Sequence, residues 1–202
     1  MTTAPLLPAP ADRDALTRAL APLAQARAAG LGLDRAALAA QVYPAPSRAE
    51  VADVGRMLDG RLSLFGPRGL ALLAALGLRE LRPVWGLPVV AAPPSAKPWL
   101  TGASAERAAQ ILPPTPAGRL ALAGARRVAA LGLTRAALAA AVLSPAPSGA
   151  PLGARLTRYF DGTTTLFSDQ GLALLRALGL EGFEVHWGAP ARPSRRKPGA
   201  AA

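Results

Sequence analysis

The sequence predicts a mainly helical protein built from two copies of one module, each closing on a short β segment that carries a tryptophan. Three observations predict it. Ala and Leu recur at helical spacing, and hydrophobic residues make up 51% of the 202 positions. The stretch Leu31-Gly32-Leu33-Asp34-Arg35-Ala36-Ala37-Leu38-Ala39-Ala40 returns as Leu131-Gly132-Leu133-Thr134-Arg135-Ala136-Ala137-Leu138-Ala139-Ala140. At an offset of 102, Arg56 to Pro88 matches Arg158 to Pro190 at 17 of 33 positions. Insertions near Ser144 and before Thr157 account for the change of offset from 100 to 102. Module one therefore spans residues 11–88 and module two 116–190. Residues 89–115 form a Pro/Ala-rich linker, and residues 191–202 read as a disordered basic tail.

The elements follow in order. Ala11 to Ala29 is a long helix with Leu16, Leu20, Leu23 and Arg27 along one stripe. Asp34 caps a short helix to Val42, and Thr134 takes its place in the copy. Tyr43 to Ser47 is a proline-rich turn, after which Ser47 caps a third helix to Asp59 with Val51, Val54 and Leu58 inward. Gly60 ends that helix, as Gly162 ends its counterpart. A fourth helix runs from Gly66 to Leu76, burying Leu70, Leu73 and Leu76; its copy opens on Ser168-Asp169. Ser104 to Leu112 is predicted as a short linker helix capped by Ser104. The closing segments are Leu81-Arg82-Pro83-Val84-Trp85-Gly86 and Phe183-Glu184-Val185-His186-Trp187-Gly188. In the second, Phe183, Val185 and Trp187 alternate with polar residues as in a half-buried strand. A lone strand has no partner within its module, so the two segments are expected to pair with each other or to lie along the partner module.

Composition removes several functional classes. With no cysteine there is no disulfide framework, cysteine-ligated zinc, iron–sulfur cluster or thiol nucleophile. The single His186 excludes a multi-histidine metal site, so no metal and no cofactor are expected. There is no nucleotide-binding glycine loop and no nucleophile elbow, and Gly30-Leu31-Gly32 joins two helices, so the chain is not expected to be an enzyme. Met1 to Ala11 lacks a basic start and is broken by Pro5, Pro8 and Pro10, unlike a signal peptide. Ala136 to Ala154, the longest uncharged run, contains Pro145, Pro147 and Pro151 and reads as no membrane span. These readings imply a cytoplasmic protein. The net charge of +11 divides unevenly: residues 1–100 carry 11 basic and 7 acidic side chains, and residues 101–202 carry 12 and 5. Arg192, Arg195, Arg196 and Lys197 hold four of those charges in the tail.

Four short helices with a tight central pair resemble a helix-turn-helix domain. Leu33-Asp34-Arg35-Ala36-Ala37-Leu38-Ala39 is similar to the second helix of lambda-repressor-like (Xre/Cro) domains. Val54-Gly55-Arg56-Met57-Leu58-Asp59-Gly60-Arg61, with Leu64 and Leu70 to Leu78, is similar to the end of the recognition helix, the glycine turn and the fourth helix of that family, including its HigA-like antitoxin branch. Both copies depart from it in the turn between helices two and three. Tyr43-Pro44-Ala45-Pro46 and Ser144-Pro145-Ala146-Pro147-Ser148 lengthen that turn.

The resemblance implies two tandem four-to-five-helix helix-turn-helix modules and a bacterial transcriptional regulator, nucleoid-associated, whose partner is double-stranded DNA. Arg35 and Arg135, just after the second-helix cap, would meet phosphate. Arg48 and Arg56, with Arg155 and Arg158 in module two, lie opposite the apolar stripe of helix three, where an arginine can bond guanine O6 and N7. Arg61 and the run Thr163-Thr164-Thr165 occupy the turn before helix four, where hydroxyl and N–H groups suit phosphate oxygens. Arg192, Arg195, Arg196 and Lys197 would add phosphate contacts without sequence preference. Asp59 and Asp161 are expected to brace the glycine turns. The matched aromatics Phe65, Phe167, Trp85 and Trp187 are expected in the core or between modules, and His186 on the exposed side of its strand. Two modules on one chain could do the work of a homodimer, with recognition helices about 34 Å apart; homodimerisation or a protein partner is the further possibility. The alternatives are a protein-interaction module, antitoxin-like or scaffold, that keeps the fold without base readout, and a nucleoid-type binder without sequence preference.

Overall fold

A computed structural model describes residues 4–90, 97–142 and 152–190. The elements are β1 (Leu6–Pro8), α1 (Arg13–Gly30), α2 (Arg35–Val42), α3 (Arg48–Leu58), α4 (Pro67–Ala75), β2 (Leu78–Trp85), α5 (Gly102–Ile111), α6 (Pro116–Ala130), α7 (Arg135–Val142), α8 (Leu152–Phe160), α9 (Asp169–Ala177) and β3 (Leu180–Trp187). The fold is thus mainly helical with one small sheet. The tail cations Arg192, Arg195, Arg196 and Lys197, and the insertion around Ser144 to Ser148, lie outside the described residues.

Local chemistry sets the helix ends. Asp34 Oδ1 accepts the Ala37 N–H at 2.7 Å to start α2, and Thr134 Oγ1 accepts the Ala137 N–H at 3.1 Å at the matching place. Ser47 and Glu50 form a reciprocal capping box at the start of α3, with the Ser47 N–H donating to Glu50 Oε2 at 2.8 Å. Gly60 and Gly162 take φ of 72° and 79°, a left-handed backbone that turns the chain from α3 and α8 toward the next helix. The linker helix corrects the expected boundary. It starts at Gly102 because Thr101 is the cap, and Ser104 sits inside the first turn, completing a capping box with Thr101.

The closing segments do pair, as antiparallel neighbours β2 and β3, and β1 adds to the far side of β3, giving the order β1-β3-β2. β1 lies in the stretch whose prolines had argued only against a signal peptide. It is a strand that the sequence does not announce, held by the register Leu7 opposite Phe183 and by the Val185 N–H donating to the Pro5 carbonyl at 2.9 Å.

The β2–β3 register relates the modules by a pseudo-two-fold axis. Arg82 faces Glu184, and at the offset of 102 these are one position of the two copies. Around that point the pairs exchange: Leu78 faces Trp187 while Trp85 faces Leu180, and Leu81 faces Val185 while Pro83 faces Phe183. Other contacts obey the same symmetry. The Gly86 N–H donates to the Gly179 carbonyl and the Gly188 N–H to the Gly77 carbonyl, both at 2.7 Å. Arg27 donates to the carbonyls of Leu76 (3.3 Å) and Gly188 (2.6 Å), and Arg127 to those of Leu178 (3.1 Å) and Gly86 (2.5 Å). Phe65 and Phe167, again one position, meet with ring centroids 4.7 Å apart. Their packing carries the core continuously from one module into the other.

The symmetry breaks at the outer edges of the sheet. A Cβ at Gly182 would collide with the Leu7 carbonyl oxygen, so glycine there admits β1. The counterpart position holds Glu80, and Pro83 turns its N-substituted nitrogen to the edge of β2 away from β3, where it cannot donate to another strand. α6 lies against β2.

Candidate nucleic-acid interface

In module one the candidate residues gather on α3 and the turn after it. Val54, Met57 and Leu58 are buried, which leaves Arg48, Ala49, Ala52 and Arg56 on the exposed side of α3. Arg35, at the start of α2, crosses α3 over Gly55. A Cβ at Gly55 would stand 3.0 Å from Arg35 Nη1, so the glycine makes room for the guanidinium. Arg35 Nη2 then reaches Asp59 Oδ1 at 3.2 Å. The side chain of Asp59 therefore holds Arg35, a correction to its expected role as a brace of the glycine turn; the turn closes through the N–H groups of Arg61 and Leu62 donating to the Arg56 carbonyl.

Arg56 is ion-paired with Asp53, whose other oxygen stands 3.9 Å from Arg68 Nη1. The turn, α3 and the start of α4 surround an open groove of about 510 Å³ lined by Arg56, Arg61, Ser63, Gly66 and Arg68. The side chains of Arg48 and Arg61 make no hydrogen bond, ion pair or ring contact among the described residues. At the groove α4 begins on Gly66 with no side-chain cap and with Pro67 in its first turn. Arg68 was not singled out from the sequence. Its signal lies in proximity to Arg61 across the glycine turn, which only the fold supplies. Its guanidinium also lies over the Tyr43 ring, 5.2 Å from the centroid.

Module two carries the same frame with different chemistry. The Arg158 side chain is exposed and without a partner among the described residues. Arg155 Nη2 donates to Gln170 Oε1 at 3.0 Å, an acceptor shared with the Tyr159 hydroxyl. The expected phosphate role of the threonine backbone is corrected: the Thr163 N–H donates to Asp161 Oδ1 at 2.8 Å and the Thr164 N–H to the Arg158 carbonyl at 2.7 Å. Those N–H groups close the turn, and the Thr165 hydroxyl joins them by accepting the Phe167 N–H at 3.2 Å. Asp161 does brace its turn. Ser168 caps α9 and Asp169 sits in its first turn, so module two has a capped helix start where module one has an open one, and Thr163 and Gln170 where module one has Arg61 and Arg68.

Arg35 and Arg135 also differ. Arg135 lies over the Trp99 ring, 5.1 Å from its centroid, and the Trp99 N–H donates to the Leu133 carbonyl at 3.0 Å. Trp99 packs edge-on against Phe160, and with α5 it covers one flank of module two. His186 is half-buried and lies 3.1 Å from Glu184 Oε2, in place of the expected exposed position. Trp85 and Trp187 pack partly buried against the core, with the Arg127 guanidinium 5.5 Å from the Trp85 centroid.

Among the described residues no group of His, Asp or Glu is disposed to hold a metal ion, and no helix is long and apolar enough to cross a membrane. Comparison with protein-family models, with curated proteins and with solved structures returns no match.

Proposed function

We propose that this chain is a non-enzymatic DNA-binding protein with two helix-turn-helix modules, α2–α3 and α7–α8, acting as a bacterial transcriptional regulator. The observation that carries the reading is the grouping of Arg35, Arg48, Arg56, Arg61 and Arg68 around the exposed side of α3 and the uncapped start of α4. DNA recognition by a helix needs side chains on a face released from the core and flanking cations to fix it on the phosphates. α3 meets both needs, since its small Ala49 and Ala52 let the backbone approach base edges between Arg48 and Arg56. Asp53 and Asp59 hold the arginines in place before binding, and duplex phosphates would compete for them.

Titration of salt against binding to random and selected duplexes tests the reading. Sequence-dependent binding with a steep salt slope is expected. A steep slope without sequence preference would favour the nucleoid-type reading, and no binding at low salt would end both. A second reading, a protein-interaction module, rests on apolar side chains left outside the core: Leu87, Val89 and Ile111 are 90%, 82% and 80% exposed. Ile111 borders an apolar hollow of about 240 Å³ between α5, α6 and α8, beside Trp99 and Phe160. That reading predicts a stable protein complex and no response to DNA.

A further inference from the structure

We infer that one chain reads an inverted DNA repeat, one unequal half-site per module, in a complex of one chain to one duplex. The inference rests on the DNA-binding reading and adds to it the orientation of the two half-sites and the stoichiometry.

Tandem copies of a module can be arranged head to tail, which matches a direct repeat, or about a two-fold axis, which matches an inverted one. The register decides between them for this chain. Arg82 faces Glu184 at matched positions, the neighbouring pairs exchange across that point, and Phe65 meets Phe167 at another matched position. The two-fold relation at this junction therefore sets α3 and α8, the matched third helices of the two modules, in opposite senses about one axis. The sugar–phosphate backbones of a duplex are related by such an axis perpendicular to the helix, so two modules placed this way meet the two strands in equivalent fashion.

The same residues argue against a second copy at this axis. The Arg82–Glu184 ion pair, 3.6 Å between Nη1 and Oε2, joins opposite charges because the copies have diverged there. Two identical strands would set like charges opposite each other. β1 occupies the outer edge of β3, and Pro83 spoils the outer edge of β2 for a further strand. The half-sites are unequal because Arg61 and Arg68 of module one have Thr163 and Gln170 as counterparts, and Asp53 has Arg155.

The test is selection from random duplexes of about 30 base pairs, enough for two half-sites about 10.5 base pairs apart. Stoichiometry is then read by native mass spectrometry. The expected result is an enriched imperfect palindrome bound one to one, with affinity falling at least about tenfold when one half-site is reversed into a direct repeat. Enrichment of a direct repeat, indifference to the reversal, or two chains per site would overturn the inference while leaving DNA reading intact. Absence of any binding would overturn the DNA reading along with it.

Discussion

At the scale of single residues, the arginines divide into those that build the molecule and those that face outward. Arg27 and Arg127 each serve two carbonyls, one in their own module and one in the other. Truncation to alanine strands partly buried acceptors, and hydrogen bonds from charged donors carry about 1.5 to 3 kcal/mol. We expect Arg27→Ala and Arg127→Ala each to lower the free energy of urea unfolding by about 2 kcal/mol or more. Arg56 and Arg158 belong to the outward class. If both modules read bases, Arg56→Ala and Arg158→Ala should each weaken specific binding by about 1 to 3 kcal/mol, measured by fluorescence anisotropy; a variant with unchanged affinity removes its residue from the interface. Asp53 acts in the opposite sense. Asp53→Asn removes the carboxylate that holds Arg56 and stands near Arg68, so binding to random duplex should tighten and the salt slope should steepen by about one.

At the scale of elements, capping and glycine geometry fix where α3 and α4 stand. Ser47 supplies the capping box of α3, so Ser47→Ala should cost about 1 kcal/mol in equilibrium unfolding and weaken DNA binding only through the position of Arg48. Gly69 marks a firmer constraint: a Cβ there would stand 2.5 Å from the Leu64 backbone, and Gly171 meets Leu166 in the same way. The two glycines stand at one position of the two copies. Their purpose was not legible in the sequence, because the close approach is to the loop before the helix and appears only when the loop is folded. The caps Asp34, Thr134, Ser47 and Ser168 were legible because each acts within three residues along the chain. Strand β1 was illegible for the converse reason, since three residues among prolines become a strand only where β3 offers an edge.

The whole molecule is held at a symmetric junction. Phe65 and Phe167 are both buried and in ring contact, so either residue changed to alanine should cost about 3 to 5 kcal/mol and loosen both modules together. Urea unfolding followed by tryptophan fluorescence and by circular dichroism should then give one coincident transition in the parent protein; two separated transitions would show that the modules unfold independently. The ion pair at the axis is more exposed and correspondingly weaker. Arg82→Glu should destabilise by up to about 1 kcal/mol, and the exchange Arg82→Glu with Glu184→Arg should restore stability. Failure of the double exchange to recover would mean that the charges at this pair do not matter.

By itself the sequence determined the mainly helical content, the duplication, the helix caps and the pairing need of two orphan strands. These are properties of period, of turn chemistry and of short-range hydrogen bonds, which are written in neighbouring residues. It also pointed to most of the arginines around α3. Only the tertiary structure decided how the copies face each other, that Asp53 and Asp59 hold particular arginines, that Arg68 joins the groove of module one, and that Arg135 is stacked on Trp99 while its counterpart Arg35 is not. Those outcomes depend on which surfaces meet after folding. Two nearly identical ten-residue stretches acquire different surroundings because the rest of the chain, folded over them, is not the same.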